Sequence, residues 1–132
     1  MRTFRFRAWD TENKCMRNNV AVGLGMVEYD LSCHQPVEIM IPMQFTGLKD
    51  RNGKEIYEGD LLADTGSDGN GGEIVYTLKE VVFHEGAFQM KELLDKEWGM
   101  EYMDDISHLE VLGNIYENPN LLERLINEKF YL

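Results

Sequence analysis

Apolar and polar positions alternate one by one along most of the chain. Phe4, Phe6 and Ala8 alternate with Arg5, Arg7 and Trp9, the period of a strand with one face on a core and one face outward. On that pattern the first strand turns its Phe side chains in and its Arg side chains out, and Asp10–Lys14 makes a polar turn after it. Further strands are predicted over Met26–Leu31, Ile39–Thr46, Ile56–Ala63, Glu73–Leu78, Val81–Met90 and Leu109–Tyr116, separated by Gly, Asn, Asp and Pro. A helical period stands out near the end. Asn118 is placed to cap, Pro119 suits a first turn, and Leu121, Leu122, Leu125 and Ile126 form one apolar stripe. This predicts a helix over residues 118–129 that covers an open part of the β core or a neighbouring subunit.

Turn chemistry adds detail. Asn52-Gly53, between Leu48 and Ile56, fits a type I′ hairpin whose flanks pair antiparallel. The stretch Thr65–Gly72 has four glycines and no apolar residue, so it predicts a mobile loop tip. Between Lys91 and Asp105, Leu93, Leu94 and Trp98 have helical spacing, and a short helix followed by a loop is expected there. Short strands, one helix and no βα alternation define a mainly β fold and favour a small barrel.

A length of 132 residues fits one domain. It divides provisionally into an N-terminal β lobe over residues 1–45, a barrel lobe over 46–117 and the C-terminal helix. The net charge is −11, which disfavours non-specific attraction to nucleic acid and anionic lipid. The charge is uneven. Arg2, Arg5, Arg7, Lys14 and Arg17 outnumber the acids at the start, whereas Glu92, Asp95, Glu97, Glu101, Asp104 and Asp105 face only Lys96 later on. Cys15 and Cys33 form no CxxC pair, so reduced thiols are expected. The opening residues lack the apolar stretch of a signal peptide, and no run approaches ~18 apolar residues. A soluble protein without membrane contact is expected.

Catalytic signatures are missing: GxxxxGK[ST], GxGxxG after a strand, HExxH and GxSxG do not occur. Cys33-His34 and the distant Cys15 do not make the two close ligand pairs of a structural zinc site. His34, His84 and His108 have no placed partner in the sequence. No catalytic residue, metal or cofactor is therefore assigned. Trp9, Tyr57 and Tyr116 read as core lids or rim aromatics, and Asp10, Lys49, Asp50, Asp60 and Asn114 sit beside turns, where capping competes with ligand contact.

Three blocks carry a resemblance: Phe6-Arg-Ala-Trp-Asp10, the string from Met43 to Asp60 (MQFTGLKDRNGKEIYEGD), and Leu109 to Leu122 (LEVLGNIYENPNLL). Together they resemble the YopX family of phage and prophage proteins across nearly the whole chain. The resemblance implies a bacterial host cytoplasm and a mostly β fold with an SH3-like barrel, and it implies no activity. The expectation is a non-enzymatic accessory protein that binds a host or phage protein, or itself as a homo-oligomer. Candidate binding residues are Arg5, Arg7, Trp9, Asp10, Lys49, Asp50, Tyr57, Asp60, Asn114 and Tyr116. The alternative is nucleic-acid binding through an outward edge of Arg2, Arg5 and Arg7 near Trp9. An enzyme with an unrecognised site is the third reading.

Overall fold

The structure, a computed structural model, describes residues 4–30, 33–95, 97 and 99–127. Eleven strands and one helix make up these residues: β1 (Phe6–Asp10), β2 (Cys15–Gly23), β3 (Met26–Tyr29), β4 (Cys33–Pro36), β5 (Met40–Lys49), β6 (Glu55–Tyr57), β7 (Asp60–Ser67), β8 (Glu73–His84), β9 (Ala87–Glu92), β10 (Met100–Tyr102), β11 (Glu110–Asn114) and α1 (Leu121–Asn127). They form two antiparallel sheets, ordered β4-β3-β2-β1-β5-β6 and β10-β9-β8-β7-β11. The mainly β expectation is met. The barrel is not: both sheets are open, and no closed barrel forms among the described residues. One reason is visible at β11, whose Val111 amide donates to the Asp50 side chain at 2.9 Å instead of to a further strand.

The chain changes sheet at Glu58-Gly59, while β5 runs through residue 45 without a break. Gly59 has φ +84°, its amide donates to the Val81 carbonyl and its carbonyl accepts from Ile115. A β-carbon there would meet Met43 Sδ at 3.1 Å, so the positive φ and the tight fit both favour glycine. This break splits the predicted Ile56–Ala63 strand into β6 and β7.

Each sheet has its own core. Ala8, Val20, Val27 and Met40 cluster within the first sheet, which curls so that β3 approaches β5. The second sheet is covered on both faces. Leu62, Val81 and Met90 pack with Ile56, Ile106 and Leu109 on one side, and Leu61, Ala63, Val75 and Leu78 pack under Leu121 and Leu125 of the helix on the other. The helix thus covers the β core of its own chain. Leu122 joins that cluster and Ile126 is exposed; residues 128–129 of the predicted helix lie outside the described residues. Asn118 accepts the Leu121 amide through its backbone, while its side chain turns back to the Asn114 amide.

Other differences have local causes. β8 runs through the break expected between Leu78 and Val81, because Glu80 pairs with Lys91 and Leu61 and continues the ladder, while a turn at Glu85-Gly86 divides the predicted Val81–Met90 strand between β8 and β9. β2 and β4 were not predicted, their polar residues hiding the period. Asn52-Gly53 does sit between antiparallel flanks, but only Gly53 has positive φ, since the Asp50 side chain fills the turn and accepts from the amides of Asn52 and Lys54. Among the described residues from Lys91 to Asp105 there is no helix: the chain returns through Gly99, φ +71°, into β10 paired with β9, and Lys96 and Trp98 lie outside the described residues. The glycine-rich loop narrows to Asp68–Gly72 between β7 and β8. No helix of the described residues is long and apolar enough to cross a membrane.

Candidate functional site

The predicted site residues concentrate where the two sheets meet. Alternation along β1 places Ala8 in the first core and turns Arg5, Arg7 and Trp9 to the opposite face. That face is not free surface, because it looks onto the second half of the chain. Arg7 is only 8 % exposed, and its Nη2 donates to Asp60 Oδ1 at 2.7 Å and to the Glu58 carbonyl at 3.2 Å. Its guanidinium carbon stands 4.7 Å from the Tyr57 ring centroid, a cation–π distance. Asp60 Oδ2 accepts the Tyr57 amide at 2.8 Å. Burial pushes the Asp60 carboxyl up, and Arg7 and the Tyr57 amide pull against it.

Trp9 stacks on Tyr116 with ring centroids 5.8 Å apart and planes 17° from parallel. Arg5 pairs with Glu55 and lies over the Phe45 ring. The expectation that Arg5 and Arg7 point outward is therefore corrected: one is paired at the rim, the other is buried against Asp60, and Arg2 lies outside the described residues. The reason is that β1 is covered on both faces, by its own core on one and by the junction on the other.

The turn residues act as backbone clamps. Asp10 Oδ1 accepts the amides of Glu12 and Asn13, and its Oδ2 accepts Asn13 Nδ2 and Arg17. The side-chain amide of Asn13, its backbone amide and Arg17 hold this carboxyl down at about 2. Asp50 ties its own turn to β11, taking the Asn52 and Lys54 amides with Oδ1 and the Val111 amide with Oδ2. Burial raises its pKa, but these amides together outweigh the penalty and the net shift is downward. Asn114 Oδ1 accepts the amides of Tyr116 and Glu117, and its Nδ2 donates to the Glu117 carboxylate. Lys49 is exposed at the end of β5, opposite Glu55 and apart from the others.

Several partners escaped the sequence reading. Arg51 ties the Asp50 turn to Glu110 at 3.0 Å, and Glu58 accepts the Gln44 amide. Gly113 approaches Asn118 so closely that a β-carbon would overlap the side-chain oxygen. These pairings are set by tertiary placement and have no spacing signature. A different omission did have one: Val20–Val27 (VAVGLGMV) contains no polar side chain and forms the β2–β3 turn with Leu24 fully exposed.

Chemically, the junction offers little to a substrate. The lone pairs of Asp10, Asp50 and Asp60 are engaged by amides and guanidinium groups, and an open groove of about 520 Å³ beside Arg5, Asn18, Asn19 and Lys54 has its two arginines already paired. His34 and His84 have half-exposed side chains, and His108 is also exposed. No group of three or more His, Cys, Asp or Glu is placed to hold a metal among the described residues.

Two open antiparallel sheets, joined by Arg7 to Asp60, Asp50 to Val111 and Trp9 to Tyr116 from three sequence blocks, define a small β protein. The chain belongs to the YopX family: the family described as YopX protein matches residues 5–123. The crystal structure of protein EF1440 from Enterococcus faecalis is similar, at 27% identity and a TM-score of 0.65, covering 92% of this chain and 99% of that one. That of protein yopX from Bacillus subtilis, at 24% identity and a TM-score of 0.55, covers 92% and 98% and shares the fold. Among curated proteins, none matches the chain.

Proposed function

We propose that this protein is a non-enzymatic accessory protein of a phage or prophage, working in the bacterial cytoplasm by binding another protein. The carrying observation is the exchange of faces at β1. Arg5, Arg7 and Trp9, the edge suited to phosphate and base contact, are used internally, whereas Leu24, Tyr76, Phe83 and Tyr102 stand exposed. Large exposed apolar and aromatic groups favour protein contact. The net charge of −11 favours a partner with a basic surface. The engaged state of the junction carboxylates supports the non-enzymatic reading.

The test is affinity capture of the tagged chain from expressing bacteria, with each captured protein purified and rebound in isolation by calorimetry. A reproducible complex with one protein is expected. Turnover of a small molecule by the purified chain, lost on changing a junction residue, would replace this reading with an enzymatic one.

A further inference from the structure

We propose that the tip of the β2–β3 hairpin inserts Leu24 into an apolar pocket with a basic rim on another protein, a proposal that rests on the protein-binding reading above. The run from Val20 to Val27 contains no polar side chain, yet only Val20 and Val27 are buried. The ladder between β1 and β2 ends at Phe6 opposite Val20, so Ala21–Gly23 reach beyond β1 and pair only with β3, while β4 backs the other arm through Met26 opposite Pro36 and through the Val37 amide, which donates to the Gly25 carbonyl. At the tip, Leu24 has φ +52° and Gly25 φ +73°. Positive φ at both central positions is the type I′ geometry that Asn, Asp or Gly adopt most easily.

Leu24 therefore sits in a backbone region that disfavours it, with its side chain fully in water. Neither fold stability nor solubility accounts for a leucine there, and burial in a partner does. Beside it an open groove of about 360 Å³ is lined by Val22, Met26 and the Glu28–His34 pair, whose Oε2 and Nε2 stand 3.1 Å apart, giving the knob an apolar shoulder.

The occupant follows from charge. A lipid surface is disfavoured, because the tip has no aromatic and no Lys or Arg and the chain carries −11. A second copy is disfavoured by that same charge, which each copy would bring to the contact. An apolar protein pocket with a basic rim takes Leu24 and complements the acidic chain.

The experiment places a photo-crosslinking phenylalanine at Leu24, and separately at Phe83, in chains expressed in bacteria. The protein joined at either position is identified, purified and titrated against wild type, Leu24→Asn and Phe83→Ser. We expect a single protein joined at position 24, binding Leu24→Asn about 10- to 100-fold more weakly and Phe83→Ser as tightly as wild type. Leu24→Asn should melt no lower than wild type, since Asn tolerates the turn. A joined protein that binds Leu24→Asn as tightly as wild type overturns the tip and leaves the protein-binding reading standing. No joined protein at either position overturns both. Leu24-dependent cosedimentation with phosphatidylcholine or phosphatidylglycerol vesicles, or a dimer abolished by Leu24→Asn, overturns the partner in favour of lipid or self.

Discussion

Arg7 shows how much a single side chain decides here. Its charge is buried with that of Asp60, and a buried pair broken on one side is far costlier than a pair removed whole. Arg7→Met should therefore destabilise by about 3 to 5 kcal/mol, and Arg7→Met with Asp60→Leu should recover a large part of that, both read from urea unfolding. A double variant that loses the sum of what Arg7→Met and Asp60→Leu lose singly would show that the pair is not coupled. Asp10 gives a pH dependence. Its carboxyl lies at about 2 against an ordinary 3.8, so its stabilisation is present above the ordinary value and is lost as pH falls through the lower one. Melting temperatures between about pH 5 and 2 should fall less steeply in Asp10→Asn than in wild type. These roles were half legible. Turn chemistry marked Asp10, Asp50 and Asn114 as caps, but the inward turn of Arg7 depends on Asp60 in another segment, which no local pattern reveals.

Among the elements, the helix is the one whose sequence signal was clearest. Its stripe needs no partner to be seen, and it lands on Leu61, Ala63 and Leu78. Leu125 is fully buried, so Leu125→Ala should cost about 2 to 5 kcal/mol, whereas Ile126→Ala, at an exposed position, should stay within about 0.5 kcal/mol. Thermal unfolding of both variants separates a packed helix from a loosely attached one. The strands were legible where one face is polar and blurred where both are covered. β7 buries Asp60, Leu61, Leu62 and Ala63 in succession, which erases the alternation, and β2 carries exposed Asn18 and Asn19. The expected helix after Lys91 fails because Leu93 and Leu94 follow the end of β9 and pack on the helix-covered core, so their spacing reports a bend.

Across the whole molecule, charge sets what can approach. Arg5, Arg7 and Arg17 are all ion-paired within the chain, and the net charge of −11 opposes phosphate. Labelled single- and double-stranded oligonucleotides should show no micromolar binding at about 0.15 M salt; binding that survives there and vanishes in an Arg5→Ala, Arg7→Ala variant would restore the nucleic-acid reading. The junction also has a consequence for synthesis. Arg7 waits for Asp60, which follows it by 53 residues, and Trp9 waits for Tyr116. A ribosome translating this chain releases β1 long before either partner exists. The first sheet must therefore emerge with a charged, aromatic face unfinished, and completion falls to the turn that follows the last strand.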